Sequence, residues 1–201
     1  MNIKKIFILL TIIMLCFTIY KIVSTYALFE TQLQKNVKAD VGKWNIKVNA
    51  EDITNTTTHS FTMNTFKISQ SPYTKENKIA PGMDGTFEID IEPQDTQVSI
   101  RYDIAIDSTE LTNQSIKLNS VMEKNNNNEI IKTAENTYTG VIPLEKINKD
   151  YLDAIEISFS WENVEENNEE DTKIGTVYAS NLSIPITVTF SQYLGETIEE
   201  N

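Results

Sequence analysis

Thr86-Phe87-Glu88-Ile89-Asp90-Ile91-Glu92 alternates without a fault, Phe87, Ile89 and Ile91 on one face, Glu88, Asp90 and Glu92 on the other. A period of two is the signature of a strand with one face in a core and one in water. Ahead of it, Ala80-Pro81-Gly82-Met83-Asp84-Gly85 is turn chemistry, proline fixing φ and glycine allowing positive φ. Behind it, Pro93-Gln94-Asp95 turns the chain. Val98, Ile100, Tyr102, Ile104 and Ile106 then share a face opposite Ser99, Arg101, Asp103 and Ala105. The two runs predict an antiparallel hairpin at the centre of the core. Each buried apolar side chain contributes roughly 1.5–3 kcal/mol before entropy is subtracted.

Outward from this pair the pattern recurs. Towards the N-terminus, Trp44, Ile46 and Val48 mark a strand over Lys43–Val48, and Phe61–Ile68 reads as another, closed by Ser71-Pro72. Between them Asn49–Ser60, with Asn55-Thr56-Thr57-Thr58 and the single histidine His59, reads as an exposed loop. Towards the C-terminus, Ser115–Met122 is a strand, Asn125 to Asn128 a solvated turn, and Glu129–Thr133 its returning partner. Gly140–Leu144 reads as extended, running into a short helical turn at Glu145–Ile147. Ile155, Ile157, Phe159 and Trp161 give the next strand. Six acidic residues and three asparagines in Glu162–Asp171 then read as a surface loop. Leu182, Ile184, Ile186, Val188 and Phe190 form a last alternating strand, in which Pro185 implies an edge position or a bulge.

Many short strands, turn signals between them and no long amphipathic helix define the fold class: all-β, an antiparallel β-sandwich, jelly-roll-like, preceded by an N-terminal hydrophobic signal helix. Jelly-roll and immunoglobulin-like connectivities fit the strand pattern equally.

The first thirty residues set the cellular context. Lys4 and Lys5 precede an apolar run from Ile6 to Tyr20, followed by Lys21 and then by small residues at Ser24 and Ala27. This is a secretory layout, with cleavage expected between Ala27 and Leu28. Retained instead, residues 6–23 would be a membrane anchor, since about 20 apolar residues span a bilayer. The expected organisation is therefore signal peptide 1–27, an N-terminal lead 28–42 and the sandwich 43–201. Cys16 falls inside the signal, and Leu15 before it does not fit a lipoprotein site, so the exported domain would hold no thiol.

The whole chain carries −12, and losing Lys4, Lys5 and Lys21 leaves −15 for the exported part. Nucleic acid and anionic membrane surfaces, which are held by clustered Lys and Arg, are thereby excluded as partners. The residues also speak against catalysis. One histidine cannot build a His-Glu-x-x-His zinc site, and no Gly-x-Ser-x-Gly elbow surrounds a serine. No catalytic residue and no cofactor is expected. Glu165, Glu166, Glu169, Glu170 and Asp171 form a candidate cation loop, without the Asp-x-Asp-x-Asp-Gly spacing of a folded calcium site. Asn55-Thr56-Thr57, Asn113-Gln114-Ser115 and Asn181-Leu182-Ser183 match the glycosylation triplet, which matters only in a secretory host.

Four stretches resemble the TasA/camelysin family of Gram-positive bacteria: Ser24–Glu30, Ala39–Ile46, Ile79–Gly82 with the Phe87–Ile91 strand, and the closing Ile184–Gln192 strand. The resemblance implies a secreted biofilm-matrix fibre subunit, matured by a SipW-type signal peptidase and self-associating into a homopolymer. Phe29, Leu33, Val37 and Val41 follow an interrupted period of two that suits an assembly strand. The resemblance points the same way, to donation of the new N-terminus to the next subunit. The alternative is that the segment pairs within its own sandwich or remains a leader. The metallopeptidase label attached to camelysin relatives is not carried over, for want of histidines. The rival expectation from the residues is a monomeric secreted or tethered sandwich that binds a ligand through its Thr/Asn-rich loops.

Overall fold

The computed structural model describes residues 3–33, 42–76, 78–109, 111, 116–125, 128–177 and 182–201. The chain divides into two compact units, Met1–Val41 and Gly42–Asn201. The first contains one helix, α1, Ile3–Leu33. No glycine or proline interrupts it, and Ile3–Ile22 is long and apolar enough to cross a membrane. The Lys21 ammonium lies 5.7 Å above the Phe17 ring, so the charge is accommodated without breaking the helix. The helix runs on through Ala27 and Leu28 to Leu33, beyond the expected junction.

The second unit is built from β1 (Lys47–Val48), β2 (Glu51–Asp52), β3 (Thr58–Met63), β4 (Lys67–Ile68), β5 (Asp84–Glu92), β6 (Ile100–Ile106), β7 (Ile116–Glu123), β8 (Asn128–Glu129), β9 (Ile131–Ala134), β10 (Thr137–Ile142), β11 (Asp153–Trp161) and β12 (Ile184–Gln192). One antiparallel sheet runs β2-β1-β5-β11-β7-β8, with β4 also on β5, and the other runs β3-β12-β6-β10-β9. Outer strands of the chain pair with outer and inner with inner: β3 with β12, β5 with β11, β6 with β10, β7 with β8. A hairpin nested in this way and rolled up gives a jelly roll, the class expected from the sequence.

The strand faces follow the alternation in the sequence. Phe87, Ile89 and Ile91 of β5, Ile100 to Ile106 of β6, Ile155 to Phe159 of β11 and Ile184 to Phe190 of β12 bury their alternate side chains in a single core. Phe66 meets Phe87 and Phe159 edge-on, at 5.8 and 5.5 Å between centroids.

Pairing differs from the sequence reading in several places. β5 and β6 are not a hairpin; they lie in opposite sheets and both contribute to the single core. Both sides of β5 are occupied, by β11 on one and by β1 and β4 on the other, so β6 has no free side to join. The connection between them acts as a surrogate strand for residues 43–45. Gln97 N donates to Lys43 O (2.9 Å), Lys43 N to Gln97 Oε1 (3.0 Å) and Thr96 Oγ1 to Asn45 O (2.8 Å). Only Lys47–Val48 of the expected Lys43–Val48 strand therefore pairs with a sheet.

The expected Phe61–Ile68 strand is two strands, β3 and β4, in different sheets. Asn128–Glu129 returns to β7 as expected, but Ile130 turns inward and β9 crosses to pair with β10. Pro185 marks neither an edge nor a bulge. It lies where β6 has ended, its carbonyl accepts Asp107 N (2.9 Å), and its missing N–H leaves no ladder bond unmade. The acidic segment is not a loop: Glu165–Asn167 is a 3-10 turn leading into α2, Asn168–Val177. The anchors of α2 are Ile174, buried in the core, and Asp171, whose Oδ1 accepts the indole N–H of Trp161 at 3.0 Å.

Candidate functional site

Free sheet edges are the places where such a domain can add a strand, and most of those present are blocked. β5 exposes its outer side only between β4 and β1. Asp84 is clipped there by Ser69 (N to Oγ 3.1 Å, Ser69 N to Asp84 O 2.9 Å) and Asp90 by Asn49 (N to Oδ1 3.0 Å, Asn49 N to Asp90 O 2.9 Å). Glu88 between them holds both Lys67 and Lys124, the latter at 2.8 Å, which keeps its carboxyl below the usual range. β9 is four residues long, and Asn201 N donates to its Lys132 carbonyl at 2.9 Å. β7 carries Lys117, paired to Glu162 at 2.6 Å. Charges, short strands and side-chain clips of this kind are how edges are kept from pairing.

β3 lacks these devices. Its six residues Thr-His-Ser-Phe-Thr-Met hold no Lys, Arg, Asp, Glu or Pro, and only β12 pairs with it among the described residues. The register shows which groups are free. Pro185, opposite Thr62, aims its carbonyl at Asp107 on the far side, so Thr62, Ser60 and Thr58 turn their backbone N–H and C=O away from β12 and outward, the Thr58 carbonyl being taken by Thr56 Oγ1 at 3.1 Å. Phe61 and Met63 are half-buried on the inner face. His59, expected in an exposed loop, is a strand residue. Its ring stacks on Phe61 at 5.4 Å, its Nε2 lies 3.7 Å from Glu51 Oε2, and its side chain is 13% exposed.

A buried acid cluster lies between the sheets. Asp153, at the start of β11, is fully buried, and neither carboxyl oxygen makes a well-formed hydrogen bond. It faces Glu123 of β7, Tyr102 of β6 and Tyr151, with Lys146 of the 3-10 turn Leu144–Lys146 at 3.7 Å from Glu123 Oε1. Burial, and then the Glu123 charge, push the Asp153 carboxyl up to about 7. Burial and the Asp153 charge push the Tyr102 hydroxyl well above its ordinary value. Tyr102 fits because residue 140 has no side chain: a Cβ on Gly140 would stand 2.2 Å from the tyrosine Cζ and hydroxyl. Gly140→Ala is expected to cost on the order of 1–3 kcal/mol, read as a lower urea midpoint at unchanged slope.

The residues singled out from the sequence fall apart in space. Ala27, Leu28, Phe29 and Leu33 are on α1, where the Phe29–Leu33 spacing of four suits a helix as well as an interrupted strand. Val37 and Val41 lie outside the described residues. Glu165 and Glu166 are on the 3-10 turn and Glu169 and Glu170 on α2, while Asp171 turns inward to Trp161. No three acidic, histidine or cysteine side chains converge into a metal cluster among the described residues.

Sequence reasoning overlooked β3 as an edge and Asp153 as a buried acid. For Asp153 a signal was present: it shares the period of Ile155, Ile157 and Phe159, which places a carboxyl on the inward face.

Fold and edges together define an antiparallel jelly-roll domain, with β3 as a charge-free open edge among the described residues, that follows an apolar N-terminal helix. Comparisons of the chain with protein-family models, with characterised proteins and with solved structures find no match in any of the three.

Proposed function

We propose that this chain is an exported, noncatalytic structural subunit that assembles into extracellular matrix fibres by strand addition, residues 28–41 of one copy pairing with β3 of the next. The observation that carries this reading is the β3 edge, six residues long, without Lys, Arg, Asp or Glu and with outward backbone groups at Ser60 and Thr62. A donated strand supplies the missing hydrogen bonds and adds Phe29, Leu33, Val37 and Val41 as alternate apolar anchors. The apolar helix behind Lys4 and Lys5 supports export, with a SipW-type peptidase cutting between Ala27 and Leu28. The resemblance of four stretches to TasA/camelysin proteins supports the fibre and a Gram-positive cell surface as its setting.

Size-exclusion chromatography and electron microscopy of purified 28–201 test it. Fibres are expected from the unaltered protein and none from Ser60→Pro. That substitution removes one outward N–H while leaving the β12 ladder intact, so circular dichroism should not change. A protein that stays monomeric at every pH and concentration, or fibres that form undiminished in Ser60→Pro, would refute the proposal.

A further inference from the structure

At one end of the sandwich, the Thr54–Thr58 segment, the end of β12 and the half-buried Trp44 enclose an open cleft of about 670 Å3. Its lining is unusual for this chain. The protein carries −12 and is 23% charged, yet no Lys, Arg, Asp or Glu lines the cleft; its walls are hydroxyls, amides, Trp44 and Phe190. The volume lies within the roughly 300–1,000 Å3 of small-molecule sites.

The polar groups divide into two sets. Some hold the loop in place: Thr54 Oγ1 donates to Asn45 Oδ1 (3.1 Å), Thr54 N to Asp52 Oδ1 (2.9 Å) and Thr56 Oγ1 to the Thr58 carbonyl (3.1 Å). Others are exposed and make no side-chain hydrogen bond among the described residues: Asn55, Thr57 and Gln192. The loop is thus held by its own bonds, while two amides and a hydroxyl face the cleft with donors and acceptors to spare.

This chemistry narrows the ligand. An anion meets no cation here and approaches a strongly negative protein. A metal cation finds no carboxylate. A wholly apolar molecule would cover the amides and leave them unpaired. What fits is an uncharged molecule rich in hydroxyls that also has an apolar face. A pyranose ring is such a molecule: its axial C–H groups are weakly positive and suit the negative face of an indole, and its hydroxyls match amide side chains. We propose that the cleft between Trp44, Asn55, Thr57 and Gln192 is a binding site for a neutral oligosaccharide, adjoining the β3 edge at Thr58.

Calorimetry and tryptophan fluorescence on 28–201 test this, with a β-1,4-linked glucose hexamer, an N-acetylglucosamine hexamer and an oligogalacturonate of the same length as probes. The chain has two tryptophans, and Trp161 is 6% exposed with its N–H held by Asp171, so a ligand-induced spectral change reports on Trp44. Saturable binding of at least one neutral hexamer is expected, with a Trp44 signal and about tenfold weaker binding of the uronate. Gln192→Ala and Asn55→Ala alter exposed side chains, so the fold should be kept while affinity falls about tenfold or more. Trp44→Ala should abolish binding, and the two exposed variants keep the test decisive if that variant unfolds. No binding of either neutral hexamer at millimolar concentration, equal binding of the uronate, or unchanged affinity in both exposed variants would overturn the proposal.

Discussion

Asp153→Asn stabilises the domain at neutral pH. In the folded chain the Asp153 carboxyl is raised from the ordinary 3.8 to about 7 by burial and by Glu123. Between those two values the folded state holds a proton that the unfolded state has released, so stability falls as pH climbs from about 4 to about 7 and is level above. At about 1.4 kcal/mol per pH unit, the cost of ionising Asp153 at neutral pH is on the order of 3–4 kcal/mol. An asparagine never ionises and its amide can still donate towards Glu123. The variant should therefore gain on the order of 3 kcal/mol at neutral pH, gain little near pH 4, and lose most of the slope between. The carboxyls of Asp52, Glu88, Asp95, Asp107 and Glu196 are shifted the other way, mainly by hydrogen bonds to their charged forms, and their contribution fades as the solution is acidified. Both proteins share that acid limb, so the difference between their urea-denaturation profiles isolates Asp153. Parallel profiles from pH 4 to 8 would show that the buried carboxyl does not titrate in this range.

The same residue shows what a sequence of this kind makes legible. Alternation assigns an inward face in β5, β6, β11 and β12, because a one-residue error would put every isoleucine in water. The same period runs through Asp153, so its inward placement was present in the sequence although the reading overlooked it. What alternation does not contain is partnership. β5 lies beside β11, more than sixty residues along the chain, rather than beside β6. The decision rests on which strand sides remain free once all are formed, and no local pattern records that. The acidic segment misleads for a different reason. Glu162–Asp171 has the composition of a solvated loop, and its helix docks by Ile174 and by Asp171 receiving the Trp161 N–H. A carboxyl used as a hydrogen-bond acceptor for a buried indole cannot be told by composition from one that faces solvent. The Thr54–Thr58 cleft was likewise visible only as a loop until the fold set Trp44 and Gln192 beside it.

Deleting residues 28–41 should abolish fibres and leave the domain folded. The sandwich forms its own compact unit from Gly42 onward, and among the described residues its core begins at Trp44. Circular dichroism and the urea midpoint of 42–201 should therefore match those of 28–201. The effect on assembly follows from the energetics of the donated segment. Burying Phe29, Leu33, Val37 and Val41 is worth roughly 6–12 kcal/mol gross. Ordering fourteen backbone residues costs on the order of 14–28 kcal/mol. Side chains alone do not hold the segment, so the balance must come from backbone pairing, and that requires an acceptor with outward N–H and C=O groups. β3 offers such groups at Ser60 and Thr62, without a Lys, Arg, Asp or Glu of its own to desolvate. Donor and acceptor are then each necessary, and losing either removes the whole interaction rather than a part of it. A peptide of residues 28–41 added in excess should accordingly bind 42–201 and cap growing fibres of 28–201, and neither effect should occur with a Ser60→Pro acceptor. Fibres from 42–201 indistinguishable from those of 28–201 would eliminate the donor segment and leave assembly to contacts within the sandwich itself.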